Sequence, residues 1–89
     1  MIIRIGHHTR QRARERGVTE AEIREVVETG KIVRAKYGKL GKEKNFPFQG
    51  NWLGRYYEMK KVRIIYALEA GIANTVTVFA FYGQWKEKS

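Results

Sequence analysis

The chain has no cysteine, which excludes a disulfide framework and any zinc site built on thiolates. It has no aspartate, and its carboxylates are nine glutamates, mostly in helical or charged stretches. That argues against the carboxylate-held magnesium of metal-dependent nucleases. Two histidines cannot make a metal centre without carboxylate help. Neither a glycine-rich phosphate loop nor an HExxH pair is present. No metal or cofactor is expected. With one proline and no Ser/Gly-rich run there is no linker, so residues 1–89 are expected to form one domain. No apolar run approaches the roughly 18 residues of a membrane span. Met1-Ile2-Ile3-Arg4 is too short an apolar start for a signal peptide. The expected address is the cytoplasm, with no membrane partner.

What the chain does have is positive charge. Lys plus Arg number 18 against 9 acids, a formal net charge of +9. Such an excess speaks about partners rather than fold. Nucleic acid, an acidic protein or an anionic membrane surface would all suit it, the membrane least for want of a long apolar run, and RNA is the partner expected.

Helical signals come first in the chain. His7 to Arg16 lack Gly and Pro and are rich in good helix formers, and Gly17 is placed to stop that helix. Thr19-Glu20-Ala21-Glu22 reads as a capping box, followed by Ile23, Val26 and Val27 at helical spacing and Gly30 as a stop. Ile2, Ile3 and Ile5 could form a short strand ahead of both helices.

After Gly30 the pattern turns to strands. Ile32 to Tyr37 reads as one. Gly38 to Gly54, with its glycines and proline, reads as a loop or irregular edge hairpin. Residues 56–59, 62–68 and 75–82 are β-branched and aromatic, with turns expected at Lys60-Lys61 and from Glu69 to Asn74. The expected fold is α+β: two N-terminal helices on one face of a three- to four-stranded antiparallel sheet. Ile23, Val26, Val27, Ile64, Tyr66, Val76 and Val78 are expected in the core.

Two clusters could carry chemistry. His8, Arg12 and Arg16 follow at i, i+4 and i+8, on one helix face and roughly 6 Å apart. Such a ladder can hold phosphate and, through an imidazole, move a proton. It is more often the pattern of a solvated basic face with a helix-capping histidine. The second cluster is Arg55, Tyr57, Lys60, Lys61 and Arg63. Arg63 stands between Val62 and Ile64, so its charge must face solvent or a partner. An open sheet face with Arg, Lys and Tyr suits single-stranded RNA, and also suits an ordinary half-buried strand. RNA cleavage without metal would use cations to stabilise the phosphorane and the 2′-hydroxyl as nucleophile.

Gly54-Arg55-Tyr56-Tyr57-Glu58-Met59-Lys60-Lys61-Val62-Arg63-Ile64-Ile65-Tyr66-Ala67-Leu68, an acidic turn, then Val76 to Gly83 resembles the sheet of RelE/ParE-type bacterial toxins. His8-x3-Arg12-x3-Arg16-Gly17-Val18 resembles the opening of a group of RelE-related domains with that signature. Together the two resemblances span most of the chain. They imply a RelE-like fold and a toxin of a toxin–antitoxin pair. Such a toxin is a metal-independent endoribonuclease acting on RNA, including ribosome-bound mRNA, and is neutralised by an acidic antitoxin. The alternatives are a non-catalytic RNA- or protein-binding module of the same fold, or a ParE-like toxin with a protein target. The resemblance implies a transition-state role for Arg63. It leaves His8, Tyr57 and Tyr82 as candidates for proton transfer and Arg12, Arg16, Arg55, Lys60, Lys61 and Lys86 as phosphate-binding candidates. Lys86 stands in for an arginine that the ribonucleases carry after the glycine. The late catalytic tyrosine or histidine of those enzymes has no counterpart in Gln84 to Ser89.

Overall fold

A computed structural model describes residues 1–85. The elements run β1 (Ile2–Arg4), α1 (His7–Arg16), α2 (Glu20–Thr29), β2 (Lys31–Val33), β3 (Leu40–Trp52), β4 (Arg55–Glu69) and β5 (Ile72–Gly83). Local chemistry sets the helix ends. Gly17 adopts φ 72° and closes α1 through its N–H. At α2 the Thr19 hydroxyl accepts from the Glu22 N–H while the Glu22 carboxylate accepts from the Thr19 N–H.

Ile23, Val26 and Val27 of α2 and Ala13 of α1 bury against Val62, Ile64, Tyr66 and Val78 of the sheet. Both helices therefore cover one face, and alternation turns Lys61, Arg63 and Ile65 of β4 to the other. No helix among the described residues is long and apolar enough to cross a membrane.

The sheet corrects the expected one. It has five strands in the order β1-β5-β4-β3-β2, and it is mixed, because β1 runs parallel to β5. A sheet of three to four antiparallel strands is thus too small. The missing strand is β3, which occupies most of the segment read as a loop. Its inner face carries Lys42 and Lys44, whose stems run past the core so that their ammonium groups reach the end of α2. Lys42 bonds the Val27 carbonyl at 2.8 Å, and Lys44 bonds the Thr29 hydroxyl at 2.9 Å. Lysines thus stand where an apolar alternation would have marked a strand. Pro47 lies beyond the end of β2, where β3 pairs only with β4.

Three smaller expectations also change. Lys60-Lys61 is no turn but the middle of β4; the turns are Leu53-Gly54 and Ala70-Gly71, each with two positive φ values. The strand expected over Ile32 to Tyr37 is only Lys31–Val33. Val76 is 42% exposed rather than buried, since the register shift at Ile65/Tyr66 leaves it unpaired.

Candidate nucleic-acid interface

Arg63 stands at the centre of the uncovered sheet face. Register places Lys31, Glu43, Arg63 and Phe79 side by side across four strands, with Asn45, Lys61 and Phe81 in the next row. Cross-strand neighbours on one face lie within side-chain reach. The Arg63 guanidinium bonds Glu43 Oε1 through Nε at 2.9 Å and Nη2 at 2.8 Å. Lys61 Nζ lies 3.7 Å from Glu43 Oε2, a looser contact. One carboxylate therefore sits between two cations, and the trio keeps one positive charge.

Aromatic rings surround that trio. The Arg63 guanidinium lies 5.2 Å from the Phe81 ring centre, and Lys61 Nζ lies 5.5 Å from that of Trp85. Trp85 donates its indole N–H to Asn45 Oδ1 at 3.1 Å. Gly83 makes room for this indole, because a Cβ there would overlap it. Phe79 and Phe81 remain 37% and 42% exposed, large rings held at the surface of a basic face.

The expected clusters do not form one site. α1 lies on the covered side, with Thr9 and Ala13 turned inward, and His8 exposed away from Arg63. Arg12 is exposed and meets Glu15 at 3.4 Å. Arg16 departs from the ladder. Its guanidinium caps the Val78 carbonyl at 2.9 Å and reaches the Phe79 ring at 5.6 Å, past the edge of β5. It is the one expected helix residue that reaches the rim of the open face.

Lys60 belongs to the interior. It is 5% exposed and bonds the Gly17 carbonyl at 2.9 Å and Glu22 at 2.8 Å, so it is not available to phosphate. Tyr57 packs on Tyr82 at 5.6 Å, in a ring group with Phe48 and Trp52. The Tyr82 hydroxyl donates to the Arg16 carbonyl at 2.7 Å. Burial above all, and then the Glu22 carboxylate, push its pKa up to about 12. Arg55 lies beside the β3–β4 turn, 5.9 Å from the Tyr57 ring. Lys86 lies outside the described residues.

Sequence reasoning missed Glu43, Phe79, Phe81 and Trp85. Two signals were present: Glu43 is the only acid between Glu28 and Glu58, and Phe79-Ala80-Phe81 has the two-residue period of a strand face. Among the described residues no three His or Glu side chains converge as metal ligands.

No curated protein and no solved structure matches the chain. A family model described as "Domain of unknown function (DUF4258)" matches residues 5–79, from just after β1 through both helices and into β5. With that match running through both layers of the fold, the chain belongs to the DUF4258 family.

Proposed function

We propose that the protein is a RelE-type, metal-independent endoribonuclease of the cytoplasm that takes single-stranded RNA across its open sheet face. The observation that carries this reading is the Glu43–Arg63–Lys61 trio set among Phe79, Phe81 and Trp85. Rings stack on bases regardless of sequence, and cations track the phosphates.

In the proposed reaction Glu43 Oε2, the less tightly held oxygen, takes the proton of a ribose 2′-hydroxyl. The 2′-oxygen then attacks the adjacent phosphorus. The bond to the 5′-oxygen breaks, the departing alkoxide takes a proton from water, and the hydroxide left behind takes the proton held on Glu43, which restores the carboxylate. The products are a 2′,3′-cyclic phosphate and a 5′-hydroxyl. Arg63 and Lys61 bear the extra charge of the phosphorane. His8 and Tyr57 have no part in this scheme.

The engagement of both Glu43 oxygens by cations favours a second reading, in which the trio is a structural ion pair and the face binds RNA without cutting it. The test uses a single-stranded RNA oligomer in excess EDTA. The first reading expects cleavage by the wild type, with Arg63→Ala lowering the rate roughly 10²–10³-fold. Glu43→Gln should stop cleavage while retaining RNA binding. Binding by the wild type with no cyclic-phosphate product would select the second reading, and absence of binding would remove both.

A further inference from the structure

The +9 charge is unevenly compensated. Over helices and sheet, several cations meet acids: Arg10 with Glu20, Arg12 with Glu15, Lys44 with Glu25, Lys60 with Glu22, and Lys61 and Arg63 with Glu43, while Arg4, Arg14, Arg16, Arg24 and Arg55 stand singly with no acid within ion-pair distance among the described residues. Residues 30–42, which form β2, the following turn and the start of β3, differ in concentrating cations with no carboxylate among them. They carry Lys31, Arg34, Lys36, Lys39 and Lys42. Lys42 is used by the Val27 carbonyl. Among the described residues, none of the other four has an acid within ion-pair distance.

The tip of this hairpin is an aromatic residue in water. Tyr37 is 90% exposed and holds φ 59°, a left-handed conformation that a bulky residue rarely adopts. The turn around it is closed by the Lys39 N–H bonding the Lys36 carbonyl at 3.2 Å. The ring packs on almost nothing, so core packing does not account for it. The hairpin is also continuous with the open face, because Lys31 lies opposite Glu43, which lies opposite Arg63.

We infer that the β2–β3 hairpin is an extension of the RNA track, gripping the strand where it leaves the sheet beyond β2. Lys31, Arg34, Lys36 and Lys39 meet successive phosphates there, and Tyr37 stacks on a base. This rests on the open-face reading above and adds to it a substrate class: a strand continuing several nucleotides past the scissile phosphate on the β2 side. Cations without acids, an exposed ring and continuity with the Phe79 row together favour nucleic acid over an acidic protein.

The test is binding of 2′-O-methyl oligouridylates, which lack the attacking hydroxyl, of about four and about twelve nucleotides. Proteins compared are the wild type, a variant with Arg34, Lys36 and Lys39 all changed to Ala, Tyr37→Asn, and Arg63→Ala; Lys31 is left in place because it stands in the Arg63 row. Asn tolerates the left-handed turn, so Tyr37→Asn removes the ring without new strain and serves if the multiple variant folds poorly. Loss of up to three phosphate contacts should lower the slope of log affinity against log salt by roughly 2 for the longer strand. Tyr37→Asn should weaken the longer strand by about tenfold. Neither change should affect the short strand, which Arg63→Ala should weaken. If the hairpin variants bind the longer strand like the wild type while Arg63→Ala does not, the inference fails and the open-face reading stands. If Arg63→Ala is also without effect, both fail. Hairpin-dependent binding of polyglutamate with hairpin-independent binding of RNA would overturn it in favour of an acidic protein partner.

Discussion

Lys60 and Lys61 are adjacent in sequence and have opposite fates. Alternation along β4 sends Lys61 to the open face beside Glu43 and Lys60 inward. A buried ammonium is tolerable only when its protons are satisfied. Here the Gly17 carbonyl and the Glu22 carboxylate do so, and the Phe48 ring centre lies 5.5 Å from Nζ. Because Glu22 is also half of the capping box, one lysine ties the end of α1 and the start of α2 to the sheet. Lys60→Met keeps the bulk but leaves Glu22 without its cation. It should cost about 2–3 kcal/mol, somewhat below the figure for a fully buried pair because Glu22 keeps some solvent contact. The melting temperature should then fall by roughly 10 °C. A melting temperature unchanged in differential scanning calorimetry would contradict the role given to this lysine. Tyr82 makes a second test at this scale. Its folded pKa of about 12 lies above the 10.0 of an ordinary tyrosine phenol. Between these values the unfolded chain has lost the phenolic proton and the folded one keeps it, so stability falls as pH rises. Its contribution is complete below about pH 10 and is lost on passing through about pH 12. Denaturant midpoints measured across that window should decline, and less steeply for Tyr82→Phe.

Among the elements, the helices were legible because their signals are local. Thr19, Glu22, Gly17 and Gly30 act within one turn of where they stand, and each marks a boundary seen in the structure. β3 was not legible because its partners are distant. Lys42 and Lys44 are explained only by the end of α2, and the exposure of Val76 only by a bulge opposite β4. Turn chemistry was also obscured. The Leu53-Gly54 and Ala70-Gly71 turns have the positive φ pair of tight hairpins, yet each begins with a residue poorly suited to it. Leu53 is 87% exposed at φ 52°, so it has little packing to lose. Leu53→Asn installs the favoured Asn-Gly pair and should raise stability by roughly 0.5–1 kcal/mol. The same calorimetry checks this; a lower melting temperature would mean that Leu53 has packing this account does not assign it.

At the scale of the whole molecule, the helices and the proposed site occupy opposite faces of one sheet. Sequence indicated that Arg63 must face solvent or a partner, because a charge between Val62 and Ile64 has few other options. It could not show that α1 lies on the other side, which separates His8 and Arg12 from Arg63 and leaves Arg16 to reach round the edge of β5. Nor could it show that Glu43 pairs with Arg63, a relation set by a register over a strand that was itself unrecognised. The central claim is that RNA lies on the uncovered face. Photo-crosslinking of a halogenated-uridine strand, with the adducts located by mass spectrometry, tests it most directly. The account predicts adducts at Phe79, Phe81 and Trp85, diminished in Arg63→Ala. Adducts confined to His7, His8 and the outer side of α1, with none on the sheet, would contradict it.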